Sequence, residues 1–324
     1  MRRPIWELKL REAATRQEFY PFLNLGLQKL LFGAYKTAPT TYGKLVTFTD
    51  SDKSKEGYPS LGSTALPKRV LEGEPFPEGN FPAKDYVEVT NQKFGEIISV
   101  TSEMVEDDKT NEIVRQPTDL GNAHAKYEDK GFYSLVTTNA TGYDSQATFS
   151  LNHPGFTGGA AIAANDNIYT NVTMSANALA VSLGRIAGWT GHTVDDLLGI
   201  IARYIVAPEN LRHTSLMLAQ SEFLPLAFAA GTLGPGASIG VAKNTMKDVN
   251  LGVVISPRLD VASTTDWYVF TDFPGFIHQW RKKLSWFQES DKSGTFFERG
   301  VYRWRTEARF RQYIINWRFG MLVS

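Results

Sequence analysis

Gly236-Ala237-Ser238-Ile239-Gly240 sets a serine between glycines at the spacing of a nucleophile elbow, the turn that presents an attacking hydroxyl in many hydrolases. That chemistry needs a strand before the serine and a helix after it. Here Gly231, Gly234 and Pro235 lead into the motif and no helical period follows, so the context fails, and Ser238 is the residue a hydrolase reading would have to use. The five histidines, His124, His153, His192, His213 and His278, are dispersed. None has a second ligand type at helical or hairpin metal spacing, so each reads as structural. Glu103, Glu106, Asp107 and Asp108 form an acidic knot ahead of Ile113-Val114. Carboxylates without other ligand types nearby read as a solvated helix start. Cysteine is absent, which removes disulfides, thiolate zinc sites and cysteine nucleophiles. With no phosphate-binding glycine loop either, the residues predict no catalytic, cofactor or metal site.

Composition points the same way. The 324 residues suffice for two domains or one large elaborated one, and 34 basic residues balance 34 acidic ones. That balance argues against a generally basic nucleic-acid binder, while local patches stay open. The start MRRPIWELKLREAATRQEF has no apolar core or small-residue cleavage site, so it is not a signal peptide, and no apolar run is long enough to cross a bilayer. The chain therefore reads as soluble. Seven Trp, thirteen Tyr and twenty Phe suit large buried contacts, within the chain or between copies.

The clearest positional signal is Ala202–Leu224. Tyr204-Ile205-Val206 reads as a buried strand, Pro208 ends it, and Leu211, Thr214, Ser215, Leu218 and Ala219 follow at helical spacing, with Glu209 near the positive end of the helix dipole. Leu251–Ile255 and Trp267–Phe270 supply two partner strands, making an α/β layer. Upstream, Trp6, Leu10 and Ala13, then Leu23, Leu27, Leu30 and Leu31 after Pro21, predict an amphipathic helix pair or an arm that packs on a neighbouring copy. Tyr42–Thr49 reads as a strand, as do Tyr86–Val89 and Phe94–Val100. Between them Pro59, Pro67, Pro75, Pro77 and Pro82 exclude a regular helix, and so long a polar span predicts an excursion that is mobile or lies on another subunit. Pro117-Thr118-Asp119 opens the longest helix, running to about Asn139; Gly142–Thr170 is loop-like, and Thr173-Met174-Ser175 introduces another helix through Ile186. Three extended runs close the chain, His278–Gln288, Val301–Arg305 and Arg309–Met321, with interleaved Arg and Trp that suit nucleic acid or a subunit interface.

The order of these pieces resembles the major capsid proteins of tailed bacteriophages, most of all the Mu-like major head subunit group. The resemblance rests on the excursion Thr40–Val100, the acidic lead-in and long helix Ser102–Asn139, Tyr143–Ala147 with Asn152-His153-Pro154, Arg203–Glu209, Val253–Arg258, and Trp267-Tyr268 leading to the Arg- and aromatic-rich end. It implies an α+β fold with an N-terminal arm (residues 1–39), an extended loop hairpin (40–100), a peripheral domain with a long spine helix (101–172), an axial α/β domain (173–273), and C-terminal strands completing both domains (274–324). By the same resemblance the chain is a structural subunit of an icosahedral head, assembling as pentamers and hexamers around double-stranded DNA that it touches non-specifically. Its partners would be copies of itself, scaffold, portal and possibly decoration proteins, with no membrane and no cofactor. Its place would be the virion capsid, reached through the host cytoplasm. If Met1 is the true start, scaffold and maturation protease would be separate proteins. Some relatives cross-link through a loop lysine, and Lys53, Lys55, Lys68 and Lys84 are all available in this loop. The competing readings are a serine hydrolase using Ser238 and another virion component such as a tail-tube or decoration protein. A helix as long as Pro117–Asn139 argues against the last.

Overall fold

The computed structural model describes residues 16–59, 69–70, 72–76, 86–107, 112–154, 162–163, 165–191, 197–225, 241–289 and 298–324. In chain order these give helix α1 (Arg16–Thr37) and strands β1 (Thr47–Asp50), β2 (Lys55–Pro59), β3 (Tyr86–Thr90), β4 (Gln92–Phe94) and β5 (Ile97–Thr101). Helices α2 (Ser102–Asp107) and α3 (Glu112–Thr138) follow, then β6 (Ile168–Tyr169), α4 (Ala176–Ala187), β7 (Ala202–Ala207) and α5 (Arg212–Gln220). The remaining strands are β8 (Phe223–Pro225), β9 (Val241–Lys243), β10 (Gly252–Ile255), β11 (Trp267–Thr271), β12 (Phe276–Gln288), β13 (Val301–Ile314) and β14 (Gly320–Val323).

Two five-stranded sheets organise these elements. The first has the order β1-β12-β13-β4, with β5 pairing the other half of β13; the second runs β10-β7-β11-β14-β6. The long hairpin of β12 and β13 dominates the first sheet, and its register shifts between Trp280 and Ser285. Alternation on β13 sends Tyr302, Trp304, Ala308 and Phe310 to one face, where they pack with Trp280, Leu284 and the α1 stripe Leu23, Leu27 and Leu31. The second sheet is covered on both faces. Ile205, Ala207, Trp267, Val269 and Met321 meet α4 and α5 on one side, while Val206, Val254, Tyr268 and Phe270 meet Phe132, Tyr133 and Val136 of α3 on the other. Such burial on both faces explains why these strands read as continuous apolar runs.

The strand-turn-helix at 202–220 forms as expected, with parallel pairing of β7 to β10. Its helix start is held by a distant residue: Asp260 accepts from the backbone amide of Glu209 at 2.8 Å. Helix α4 also forms, with Ser175 as its N-cap accepting from the Ala178 amide.

Several expectations are corrected. Pro117 does not open α3, which begins at Glu112, because burying Ile113 in the first sheet's core favours one more turn ahead of the proline. The amide lost at Pro117 falls near the helix start, and the Thr118 hydroxyl donates to the Val114 carbonyl there. Helix α1 likewise runs through Pro21 without a break, and its stripe packs on the chain's own sheet; Trp6, Leu10 and Ala13 lie outside the described residues. Tyr42–Lys44 is a 3-10 turn and only Thr47–Asp50 is strand, because the Tyr42 side chain is buried against α3. Phe94–Val100 is two strands, β4 and β5. The runs at 301–305 and 309–321 are instead the single strand β13, followed by a 3-10 turn at Trp317–Phe319 and then β14 in the other sheet.

The excursion is anchored more firmly than its composition suggests. β2 pairs with β3, Val87 and Val89 are buried against Ile277 with Tyr58, Tyr313 and Ile315, and the Tyr58 hydroxyl donates to Gln279 at 2.7 Å. Alternating apolar residues thus cement the base of the hairpin to the body. Glu72–Phe76 is exposed, Phe76 at 86%.

Candidate functional site

Among the described residues, those singled out for chemistry are not brought together. His153 and Asp144 come nearest to a catalytic pairing, with Nδ1 and Oδ2 2.5 Å apart. Both are buried, His153 Nε2 faces Asn167 Oδ1 at 3.0 Å, and the ring stacks on Trp317 at 4.2 Å. Neither ring nitrogen is open to a substrate. Asn167 also donates to the Thr148 carbonyl and accepts from the Ser150 amide, both at 2.7 Å, so the cluster seals the loop after α3 onto the corner between β13 and β14. His278 is buried between rings, and burial pushes its pKa down to about 3, leaving it neutral. His124 bonds Thr306 Oγ1 at 3.0 Å, and burial lowers its pKa too. His213 is exposed on α5. His192 and the Gly236–Gly240 motif with Ser238 lie outside the described residues. Glu103 is exposed in the first turn of α2, where its own backbone amide and the Thr101 hydroxyl hold its carboxyl below the ordinary range. Among the described residues no three His, Asp or Glu side chains gather as a metal site.

What does converge is a polar junction where α1, the turn before β1, α3 and the end of β10 meet. Glu128 is 4% exposed and accepts from the Tyr35 hydroxyl at 2.8 Å and the Tyr42 hydroxyl at 2.5 Å. Burial pushes its pKa up to about 7, although the two hydroxyls act the other way. Burial and the neighbouring carboxylate raise both tyrosines well above their ordinary value, so they remain donors. Asp129 accepts from the Thr41 amide at 3.0 Å and from Arg258 Nε at 2.5 Å, while Arg258 also donates to the Lys126 carbonyl. This arrangement has no open face for substrate. It fastens the root of the extended loop and the N-terminal helix to the spine of the molecule. The signal for it was present in the sequence: Glu128 and Asp129 occupy the same helical stripe as Ala125, Phe132 and Val136, where ionisable groups are out of place.

A second feature lies on the first sheet's face away from α1 and α3. Glu307 is 4% exposed and is ringed by Arg309 at 3.1 Å, Lys282 at 3.4 Å, Arg305 at 3.5 Å and Lys93 at 3.6 Å. Burial opposes its charge, but Lys282, Lys93 and Arg309 outweigh that and hold the carboxyl below its ordinary range. By strand alternation Arg303 and Arg311 share this face. One carboxylate therefore arrays a basic surface, bordered by the exposed Ile97 and Phe287.

The described residues thus give two five-stranded sheets, a 27-residue helix along them and a hairpin anchored at its base. A family model described as phage capsid protein matches residues 85–319, most of the chain. The chain belongs to the phage capsid protein family. It is a shell-forming structural subunit of an icosahedral phage head, a role for which neither the hydrolase nor the tail-tube reading finds support. Solved structures agree on the fold. A subunit of the procapsid of bacteriophage JBD30 is 18% identical, with 95% of this chain and 75% of that one covered at a TM-score of 0.50. The capsid of a native GTA particle matches at 9% identity, 87% and 89% coverage and a TM-score of 0.56. A virus-like particle from Pyrococcus furiosus matches at 8% identity, 92% and 98% coverage and a TM-score of 0.51. No curated protein matches by sequence. Among the described residues no helix is long and apolar enough to cross a membrane.

Proposed function

We propose that this phage capsid protein assembles as pentamers and hexamers of itself, without catalysing a reaction, and that its shell holds double-stranded DNA non-specifically. In this reading residues 40–100 form the loop that embraces a neighbour, and residues 101–172 with the C-terminal strands form the peripheral domain around α3. Residues 173–273 form the axial domain gathered at local symmetry axes, and residues 1–39 the arm. Scaffold, portal and possibly decoration proteins are its further partners, assembly takes place in the host cytoplasm, and the order of its motifs supports a place in the Mu-like group. The observation that carries the reading is the hairpin of β2 and β3, cemented at its base by Val87 and Val89 while Glu72–Phe76 reaches into solvent. Extended segments laid on neighbours bury more area than compact contacts do, and closed symmetry multiplies each contact over the shell.

Electron microscopy of the expressed protein, with size-exclusion chromatography, tests this. Closed shells are expected, with density for the loop on an adjacent subunit; a strictly monomeric protein refutes it. Treatment with a serine-reactive fluorophosphonate is expected to leave Ser238 unlabelled.

A further inference from the structure

Helix α1 is held by two different means along its length. Leu23, Leu27 and Leu31 sink into the first sheet's core, but from Tyr35 to Asp50 the one buried residue is Tyr42, with Leu45 and Val46 only partly so. The connection between α1 and β1 is therefore seated largely by polar bonds, and these converge on two adjacent carboxyls of α3. Asp129 accepts from the amides of Thr41 and Tyr42 at 3.0 and 3.3 Å, and Glu128 accepts from the Tyr35 and Tyr42 hydroxyls at 2.8 and 2.5 Å. The two carboxyls differ in one respect. Asp129 has Arg258 at 2.5 Å as its cation, whereas no basic side chain among the described residues pairs with Glu128, which is 4% exposed.

A buried carboxyl without a cation is costly to ionise where it stands, and its cheapest route to water is through the neighbouring segment with the fewest apolar contacts. Here that segment is the connection itself. The groups facing the junction are Tyr35 from α1, Tyr42 from the turn, Asp129 and Tyr133 from α3, Arg258 from the segment after β10, and His278 of β12, stacked on Tyr42 at 5.7 Å; β13 presents the neutral Gln312, which donates to the Glu128 carbonyl at 2.9 Å. Burial raises all three tyrosines above their ordinary value and pushes His278 down to about 3, so none of these four changes charge between pH 5 and 8. Burial lifts Glu128 itself to about 7, inside that range. We propose that Glu128 is a proton-operated latch: with its carboxyl protonated the end of α1 and the turn before β1 are seated on α3, and loss of the proton lets residues Tyr35–Val46 open to water while the two sheets stay folded. The latch acts within one subunit, so it holds independently of the shell reading.

Hydrogen–deuterium exchange of the full-length protein between pH 5 and 8, expressed as protection factors so that intrinsic exchange cancels, tests it. The amides of Ala38, Thr41, Tyr42 and Leu45, all hydrogen-bonded in the closed junction, report on the connection, and those of β7 and β11 on the body. At every pH the connection is expected to be less protected than the strands. Its protection is expected to fall about tenfold per pH unit between pH 5 and 7 and then level off, because the opened carboxyl releases its proton at the ordinary 4.5. Glu128→Gln cannot ionise and is expected to hold that protection constant. The matching signature is an infrared band of a protonated carboxyl that is present at pH 6, lost by pH 8 and missing from the variant. Equal protection of connection and strands means that the junction opens only when the whole subunit unfolds, and overturns the inference. So does wild-type protection that ignores pH, a variant that keeps the pH dependence, or the absence of the carboxyl band at pH 6. Should the variant fail to fold, the wild-type exchange profile and its infrared band decide the matter unaided.

Discussion

Replacing Glu128 by Gln should change how stability depends on pH. The side chain is 4% exposed, and burial lifts its pKa from the ordinary 4.5 to about 7. A carboxyl that holds its proton more tightly in the fold than outside it destabilises the fold wherever the unfolded chain has already released that proton. Below pH 4.5 both states are protonated and there is no penalty. Between pH 4.5 and 7 the unfolded state loses its proton while the folded state keeps it, and stability falls by about 1.4 kcal/mol per pH unit. Above pH 7 the loss levels off at about 3 kcal/mol. Gln keeps an acceptor for Tyr35 and Tyr42 and cannot ionise. Urea unfolding of purified subunits, followed by tryptophan fluorescence from pH 4.5 to 8.5, isolates the contribution as the difference between wild type and variant, since every other titrating group is common to both. That difference should shift by about 3 kcal/mol in favour of the variant across the range. Tyr42→Phe, which removes a hydroxyl that lowers the Glu128 pKa, should move the window to higher pH. A difference that stays constant with pH would show that Glu128 is ionised in the folded subunit as readily as outside it, and the account of the junction would be wrong.

Other perturbations report on other parts of the subunit. A Cβ on Gly121 would overlap the Leu31 carbonyl oxygen and lie 3.1 Å from Ala34 Cβ, so Gly121→Ala should force α1 off α3 and cost about 2 kcal/mol or more in the same unfolding assay. Asn167→Ala strips the buried partners of Thr148, Ser150 and His153 together, and a loss of about 3 kcal/mol is expected. Glu307→Gln leaves Lys93, Lys282, Arg305 and Arg309 facing one another, so it should destabilise at low salt and less so as ionic strength rises; a loss indifferent to salt would count against the hub.

The elements legible in the sequence were those whose period matched their burial. Tyr204–Val206, Val253–Ile255 and Trp267–Phe270 read correctly as buried strands because both faces of the second sheet are covered. Ser175 announced α4 because its side chain is the cap. The errors arose where tertiary packing overrode a local signal. Pro117 looks like a helix start, yet Ile113 gains burial by extending the helix ahead of it; Tyr42–Thr49 alternates like a strand, yet Tyr42 turns inward to reach Glu128. The cluster of Asp144, His153, Asn167 and Trp317 was beyond reach, since Trp317 lies 150 residues from Asn167 along the chain and no local pattern links them. The polar, proline-rich excursion was read as unable to bury itself, while the few apolar residues at its base, Val87 and Val89, sufficed to attach it.

Strand β13 explains how one chain can be both rigid and adaptable. It leaves the first sheet at Ile314 and turns at Asn316, whose side chain accepts from the Arg318 amide at 3.0 Å; as β14 it then enters the second sheet between β11 and β6. Sliding one sheet past the other would disrupt the core they share, in which Phe276 and Ile314 of the first pack with Val206, Tyr268 and Phe270 of the second, and would strain the turn that the Thr271 Oγ1 bond to the Arg318 carbonyl and the Arg318 Nη2 donation to the Thr190 carbonyl hold in place. Unpaired buried polar groups are costly enough that these contacts yield together or not at all. The two sheets therefore move as one body. Any adjustment between positions in a closed shell must therefore fall to segments outside this shared core.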